Sequence, residues 1–278
     1  MFFHLILCVY LGIVESRKYH TTRNLLELAE SYCYGPLECR WDSGVLLMDW
    51  NSPSEKRVVL NFNEHARERI TGELALGMIE RIHDWQPPVD VTIVPVLNVW
   101  GREQVDKGRT CLRKTKNGVD PNRNYQTEHN RRHYAKHSSE YEGPSPLSET
   151  TSKLIARELE KCNRYINVHS GEFSLYTPFD SRTYSPPNEQ NMLHKVHHWH
   201  KYCRECTVGP AASTSFYKAY GTSVDWATDH GVEEAYTFEI YGENSVDCDR
   251  MFNPPEHKLD EIIQKWLPIL KDAVYANH

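Results

Sequence analysis

The chain has 278 residues, a formal net charge of −6 and 39% hydrophobic residues. This length and composition favour one large α/β domain over two small ones, with ample chain to bury a core. The mild acidity, together with the lack of a long basic arm, argues against nucleic acid as a partner.

The first 16 residues have the character of a signal peptide. Residues 2–14 are almost wholly apolar and are followed by a polar stretch. The apolar run is too short to span a membrane, and Ser16 is a suitable small residue before a cut. We therefore expect a leader at 1–16, one domain at 17–278, a secreted or endomembrane-lumen location and no stable membrane insertion. A basic n-region is missing, so a buried first strand or a retained anchor stays open.

An exported protein is expected to form disulfide bonds. Cys33 and Cys39 are the best local pair because Gly35-Pro36 makes a turn between them. Seven cysteines follow the leader, so one thiol is left over. The Cys203-x-x-Cys206 spacing also occurs in redox and zinc pairs, but no second pair of that spacing accompanies it.

The first third of the chain predicts alternating helices and strands, which favours parallel strand pairing. The predicted elements are a helix capped at Thr21-Thr22 and reaching Tyr32, strands near 44–48 and 57–62, a helix from Ile70 to Trp85, and a buried strand from Val91 to Leu97.

The middle of the chain, from Gly101 to Ser148, has little apolar periodicity and is predicted to be a long functional loop region. Regular structure is expected to resume after it. The later elements are a helix opening at Ser148-Glu149, a strand at 165–168, a helix near 189–202, a strand from Tyr236 to Tyr241, and a closing amphipathic helix over 259–274 despite Pro268.

A candidate zinc site follows two of the predicted strands. His65 and Glu68 come just after the strand near 57–62, and their spacing lets both side chains reach one ion. This spacing alone more often marks a solvated pair. A second β-branched run ends in His169, and strands that each deliver a histidine at the carboxyl end fit the functional edge of an open α/β sheet.

Other chemistry-bearing residues lie in the loop region and near the C-terminus. Arg113 and the run Gly118 to Tyr125 offer guanidinium and amide donors, which suit a carboxylate ligand. A solvated arginine is the more common alternative for any single residue. Glu239 lies inside an apolar strand, where a carboxylate is costly to bury without a partner or a task.

Together these motifs resemble the zinc metallocarboxypeptidases of the carboxypeptidase A superfamily, including a pro-domain-free branch. The resemblance covers about residues 58–241. It is carried by His65-Ala66-Arg67-Glu68, Arg113 within Leu112-Arg113-Lys114, Asn122-Arg123-Asn124, His169-Ser170, and Tyr217 with Thr237-Phe238-Glu239.

The resemblance implies a fold and a reaction. The fold is a single α/β domain, with a mixed, largely parallel twisted sheet and helices on both faces. The reaction is hydrolysis of the C-terminal bond of peptides or proteins, with one Zn²⁺ held by His65, Glu68 and His169. Glu239 is the implied general base, and Arg113 the implied oxyanion stabiliser.

Four residues are implied to bind the substrate backbone or its terminal carboxylate: Arg67, Asn122, Arg123 and Tyr217. Val224 matches a position at the floor of the pocket for the terminal side chain. Because it is apolar, it predicts a preference for apolar or aromatic terminal residues. A zinc amidohydrolase acting on small acylated amino acids and a catalytically silent binding domain remain the alternatives. Oligomeric state is not predicted.

Histidines elsewhere favour no second metal site. His194, His197, His198 and His200 are expected on a polar helix face, and His129, His133 and His137 in a solvated loop.

Overall fold

A computed structural model describes residues 17–127, 130 and 132–275; the predicted leader and His129 lie outside these residues. Within this part of the chain, eight strands form one sheet in the order β1-β2-β4-β3-β5-β8-β6-β7. The strands are β1 (Leu37–Asp42), β2 (Val45–Trp50), β3 (Arg57–Phe62), β4 (Asp90–Val94), β5 (Arg164–His169), β6 (Glu172–Thr177), β7 (Thr207–Pro210) and β8 (Glu234–Tyr241).

The centre of the sheet is parallel and its flanks are mixed. Strands β4, β3, β5 and β8 run parallel to one another. The β1–β2, β2–β4 and β6–β8 pairs are antiparallel, whereas β7 pairs with β6 in parallel. The prediction of a mixed, largely parallel sheet in an α/β domain is therefore confirmed.

Helices cover both faces of this sheet, as expected. They are α1 (Thr22–Glu30), α2 (Arg69–Trp85), α3 (Val99–Asp106), α4 (Thr150–Leu159), α5 (Glu189–Trp199), α6 (Ala211–Thr214), α7 (Ser223–Asp229), α8 (Cys248–Phe252) and α9 (Glu256–Tyr275), with a 3-10 turn at Pro121–Arg123. Among the described residues, none of these helices has the length and apolar character needed to cross a membrane.

Side-chain alternation along the central strands divides the interior into two apolar clusters. In β3, Leu60 and Phe62 belong to the large core, which also takes residues from α1, α2, α5 and α9. Val59 points the other way, into the small core with residues from α4 and α7. Because strand side chains alternate, Asn61 shares the face of Val59, and this polar position lies toward the carboxyl edge of the strand.

The prediction of a continuous loop from Gly101 to Ser148 is wrong at its start, because α3 occupies Val99–Asp106. This helix has little apolar periodicity, since one of its buried side chains is the charged Arg102. Arg102 donates to Asp106 at 2.8 Å and to the side-chain oxygen of Asn63 at 2.9 Å. A charged residue thus occupies a buried helix position where an apolar residue is usual, and the apolar periodicity that would predict the helix is lost.

Three disulfides join cysteines among the described residues. Cys33–Cys39 is the predicted pair. Cys203 and Cys206 also form a disulfide, which disfavours the reading of this spacing as a zinc pair. The third bond, Cys111–Cys248, has a sequence separation of 137 residues and was not predicted. Cys162 is the leftover thiol in this part of the chain, and it is buried.

Candidate metal centre and active site

The candidate metal ligands lie at the carboxyl edge of β3 and β5. His169 is the last residue of β5 and pairs in register with Glu239 on β8. His65 lies in the turn after β3, which Asn63 shapes with a φ of 50°. The Asn63 amide donates to the His65 carbonyl at 2.8 Å, which fixes the turn, and asparagine tolerates this left-handed backbone better than most residues.

These three side chains converge in one buried cluster. The Nδ1 atom of His65 lies 2.7 Å from one oxygen of Glu68, and the Nδ1 atom of His169 lies 2.9 Å from the other. The candidate ligand atoms all lie within 4.8 Å of one another. Two imidazole nitrogens and one carboxylate are a donor set that suits Zn²⁺, so the residues fit the ion that the sequence predicts.

Carboxylates also contact the outer nitrogens of both histidines. The Nε2 atom of His65 lies 3.2 Å from Asp120 Oδ1. The Nε2 atom of His169 lies 3.5 Å from Glu64 Oε2. Such contacts fix the orientation and tautomer of ligating histidines, and here they leave both Nδ1 atoms facing the cluster. The sequence predicts no role for these two carboxylates, because each contacts a histidine far away in the chain, His65 for Asp120 and His169 for Glu64.

Glu64 is anchored by a polar network beneath the cluster. The Asn167 amide donates to Glu64 Oε2 at 2.7 Å, and the Tyr125 hydroxyl lies 3.4 Å from Oε1. The same Asn167 amide also donates to the Ser223 hydroxyl at 2.9 Å. Burial raises the pKa of the Glu64 carboxyl, while His169 and His65 oppose the rise. Two segments of the chain therefore bond Glu64 directly, and Ser223 holds the Asn167 side chain that donates to it.

Arg113 reaches the same cluster from the loop after α3. Its Nε atom donates to Asp120 Oδ2 at 2.8 Å, and one terminal nitrogen lies 3.2 Å from His65 Nδ1. Although burial opposes ionisation of Asp120, the charges of Arg113 and His65 hold the pKa of that carboxyl well below its usual range. The guanidinium is thus held beside the candidate metal centre by a carboxylate that stays ionised.

Glu239 faces the cluster from β8 with an unused acceptor. Its Oε2 atom is buried and has no hydrogen-bond partner. Burial raises its pKa well above the usual range; the charge of His169 lowers it, and the charge of Glu68 raises it further. A carboxylate oxygen without a partner, next to a candidate metal centre, is available to accept a proton from a bound molecule.

One cavity of about 260 Å³ joins these residues. Its lining includes the three candidate ligands, Arg113 and Glu239, together with all four residues predicted to hold the substrate.

The predicted carboxylate clamp lies on this lining, with its members already held by the protein. Arg123 donates to the Asn122 carbonyl at 2.8 Å and to Glu140 at 2.9 Å, while its Nε atom has no partner. The Asn122 side chain accepts from Ser223 N at 2.9 Å and lies 3.3 Å from His169 Nε2.

Tyr217 and Arg67 occupy more open parts of the lining. Tyr217 is 47% exposed. The Arg67 guanidinium lies over the Phe252 ring, 3.8 Å from its centre. Both side chains can therefore meet a molecule that enters from solvent.

Val224 is the predicted site residue that does not line the cavity. It is 1% exposed and belongs to the small core. The expectation that it forms the floor of the substrate pocket therefore has no support in this structure, where Thr222, in the turn before α7, lines the cavity instead. Ala219 and Thr237, by contrast, do line the cavity.

The remaining histidines that are described stay away from this site. His194, His197 and His198 are exposed on α5, and His133 and His137 are exposed in the loop before α4. Among the described residues, the His65, Glu68 and His169 cluster is the group of ligand-type side chains close enough to share an ion. This agrees with the interpretation of the other histidines as solvated.

Known proteins share this sequence and this fold. A family model described as zinc carboxypeptidase matches residues 42–268. Carboxypeptidase A2 of Mus musculus is 30% identical over 209 residues, covering 63% of this chain and 49% of that protein. Carboxypeptidase B of Rattus norvegicus is 28% identical over 234 residues, covering 70% and 54%. The chain thus spans about half the length of these curated relatives.

Solved structures give the same picture at the level of the fold. Bovine thrombin-activatable fibrinolysis inhibitor, in complex with tick carboxypeptidase inhibitor, superposes with a TM-score of 0.81 at 21% identity, covering 92% of this chain and 96% of that one. Carboxypeptidase A from Helicoverpa armigera gives a TM-score of 0.79 at 20% identity, covering 92% and 73%. At these identities the likeness shows a shared fold alone.

Proposed function

Because this chain belongs to the zinc carboxypeptidase family, we propose that it removes the C-terminal residue of peptides or proteins by zinc-dependent hydrolysis. The observation that carries the proposal is a single cavity that combines a buried His-Glu-His cluster, an unpartnered glutamate oxygen and three arginines. Family membership alone supports the class of reaction. The cavity supplies candidate residues for metal binding, proton transfer and binding of the substrate carboxylate.

His65, Glu68 and His169 would hold the zinc ion. When bound, zinc polarises a substrate carbonyl and lowers the pKa of a coordinated water. The protein's contribution is to present both Nδ1 atoms and the Glu68 carboxylate in one buried cluster, with Asp120 and Glu64 orienting the rings from behind.

Glu239 would act as the general base. Its free Oε2 atom accepts a proton from the attacking water and returns it to the leaving amine. The neighbouring Arg113 guanidinium would stabilise negative charge on the carbonyl oxygen during attack, since it is already held beside the metal ligands by Asp120.

Arg123, Asn122 and Tyr217 would bind the terminal carboxylate of the substrate, and Arg67 would contact the residue before the cut bond. Arginine suits this task because its planar donors match a carboxylate. The clamp selects the end of a chain, and this distinguishes an exopeptidase from an endopeptidase.

The preference for apolar or aromatic terminal residues was expected from Val224 facing the substrate. Val224 instead packs in the small core, so that expectation loses its structural support. The proposed reaction does not depend on it, since the metal cluster, base and clamp act on groups that every peptide C-terminus carries.

The test compares a peptide with its C-terminally amidated twin, each with and without a chelator. The free acid should be cleaved at its last bond, the amide should lose at least about 30-fold in kcat/KM, and chelation should abolish both reactions. Equal cleavage of both peptides would contradict the clamp. Hydrolysis confined to small acylated amino acids would support the amidohydrolase alternative, and zinc binding without any hydrolysis would support a silent binding domain.

A further inference from the structure

The Cys111–Cys248 disulfide joins two distant segments that both reach the cavity. Cys111 lies two residues before Arg113, in the irregular stretch that follows α3. Cys248 is the first residue of α8, which carries Met251 and Phe252 to the cavity lining. Cys111 is exposed and Cys248 is half-buried, so a reductant in solvent can reach the bond. The bond is therefore accessible and close in the chain to two parts of the proposed active site.

Arg113 is held both at the tip of its side chain and at its backbone. The guanidinium donates to Asp120 at 2.8 Å. The Arg113 carbonyl accepts from Ala66 N at 3.3 Å, and the carbonyl of Lys114 accepts from the Asn98 amide at 3.1 Å. No helix or strand supports this stretch of the chain. On the N-terminal side of the arginine, the disulfide supplies a covalent anchor.

The other end of the disulfide is tied to the segment that carries a metal ligand. Asp249 on α8 accepts two bonds from Arg69, at 2.8 and 2.9 Å. Asn253, just after α8, donates to the Arg67 carbonyl at 2.9 Å and accepts from the backbone of α2 at 3.1 Å. Glu68 lies between the two arginines in the chain. The segment with this ligand thus contacts both the stretch after α3 and α8, and the disulfide joins these two supports to each other.

We propose that the Cys111–Cys248 disulfide positions Arg113 for catalysis, so that its reduction lowers turnover while the zinc site stays intact. The proposal rests on the carboxypeptidase function above, in which Arg113 stabilises charge on the carbonyl oxygen. A group with this task must be placed accurately, because a shift of about 1 Å can cost about 100-fold in rate. The candidate ligands do not include Arg113, and His169 ends a central strand that the disulfide does not touch.

A water-soluble phosphine is the suitable probe. One phosphine and one water convert the disulfide into two thiols and one phosphine oxide. Phosphorus gives its electron pair to one sulfur as the S–S bond breaks, and water supplies the oxygen of the phosphine oxide and the two thiol protons. A dithiol reductant is less suitable because thiolates bind zinc, so a loss of activity would have two causes.

The test measures kcat, KM and zinc content before reduction, after reduction and after reoxidation. Thiol labelling with mass spectrometry confirms that Cys111 and Cys248 are reduced. We expect kcat to fall by about 10-fold and to recover on reoxidation. KM should change by less than about 3-fold, since the arginine acts on charge that develops only in the transition state. Zinc content should stay at the native level.

Two double variants assign the effect to this bond. Cys111→Ser with Cys248→Ser should have the lowered kcat from the start and should not respond further to phosphine. Cys33→Ser with Cys39→Ser is the matched control, because it removes a disulfide that is also half-exposed but lies away from the cavity lining. This control should have native turnover, and phosphine should lower its kcat as it lowers that of the native protein.

Native turnover after confirmed reduction would overturn the proposal, and so would a phosphine response that persists in the Cys111 and Cys248 variant. Loss of zinc on reduction, or a change in KM alone, would also contradict it, because the bond would then support the metal centre or substrate binding. If the double variant does not fold, the reversible change in the native protein decides the question.

Failure to cleave any peptide would instead count against the proposed function. Hydrogen exchange followed by mass spectrometry then still tests the disulfide. Reduction should speed amide exchange in residues 109–116 and 245–253, the two segments that the bond joins. Unchanged exchange in both segments would show that the bond does not hold them in place.

Discussion

The carboxylates around the cavity differ in how many of their oxygens have a hydrogen-bond partner within the protein. Both carboxylate oxygens of Asp120 are hydrogen-bonded, one to His65 and one to Arg113, so its role is to orient these two side chains. Glu239 keeps one buried oxygen without a partner. Most buried polar atoms in proteins have a hydrogen-bond partner, and this oxygen, beside the candidate metal ligands, is placed to accept a proton from a bound molecule. The difference separates the carboxylates that position other groups from the one available to react.

Replacing Glu239 by glutamine should remove the base while keeping the shape of the site. Turnover should fall by about 100- to 10,000-fold, the usual worth of general base catalysis. Zinc content, measured on the purified variant, should stay at the native level, because the ligand cluster does not include Glu239. Glu172→Gln, which neutralises another acid on the cavity lining, is the control. A Glu239→Gln variant with native turnover would place the base elsewhere.

Glu64 allows a test of metal binding that does not depend on turnover. Glu64→Gln removes a buried charge 3.5 Å from His169 Nε2 while keeping the size of the side chain. We expect zinc affinity, measured by competition with a chromogenic chelator, to weaken by about 10-fold.

The control is Glu73→Gln, which neutralises another fully buried carboxylate, one that bonds His20 rather than a candidate ligand. It should lower stability without changing zinc affinity. Native zinc affinity in the Glu64 variant, or an equal loss in both variants, would argue against a positioning role for Glu64.

At the scale of elements, the turn before α7 holds the clamp in place. The Gly221 carbonyl accepts from Tyr125 N at 3.0 Å, just after the Pro121–Arg123 turn. Gly221 has a φ of +73°, and a Cβ added there would lie 2.3 Å from the Arg123 carbonyl oxygen. This position therefore requires glycine for two reasons, backbone conformation and close approach.

Alanine substitutions at Gly221 and Gly118 distinguish the effect of backbone conformation from the effect of close approach. Gly118 has nearly the same φ, +74°, but a Cβ there would meet nothing within 4 Å. Gly118→Ala should therefore cost about 1–2 kcal/mol from the left-handed backbone alone. Gly221→Ala should cost at least about 3 kcal/mol, because the Arg123 carbonyl must also shift. Urea unfolding of both variants checks this, and equal losses would show that the close contact relaxes freely.

The sequence indicated the elements and ligands that follow a local pattern. The strand ending in His169 and the helix after Glu68 were found because apolar periodicity and ligand spacing are short-range signals. The helix α3 is not predicted from the sequence, because the buried charge of Arg102 interrupts its apolar pattern. Asp120 reaches the site through the packing of a distant segment, and Glu64, although it precedes His65 in the chain, contacts the distant His169, so no ligand spacing could have identified their roles.

At the scale of the whole molecule, buried ion pairs link β5, β8 and α5 at the amino-terminal ends of the two strands, opposite the ends that reach the cavity. Glu234 on β8 accepts from Arg164 on β5 at 2.7 Å and from Lys195 on α5 at 2.5 Å. Although burial opposes ionisation, these two cations lower the pKa of Glu234 to about 2. The ionised form thus stabilises the folded state, in which three elements share one charge network.

This network predicts a pH-dependent contribution to stability. Because the folded pKa lies below the ordinary value of 4.5, the contribution is present above that value and is lost as pH falls toward 2. Glu234→Gln should cost about 3 kcal/mol in urea unfolding at pH 7, and the gap from the native protein should narrow near pH 3. A gap that is independent of pH would show that the charge contributes nothing.

The buried thiol of Cys162 can report local unfolding of β5 in this protein. Its thiol donates to the Arg164 carbonyl at 2.9 Å at the start of β5, and burial raises its pKa to about 12. An alkylating reagent attacks the thiolate, so the folded protein should resist modification. The rate of labelling then measures how often β5 separates from β3 and β8, and no cysteine has to be introduced by mutation. Mass spectrometry at increasing urea would turn that rate into a free energy of opening for the strand that delivers His169.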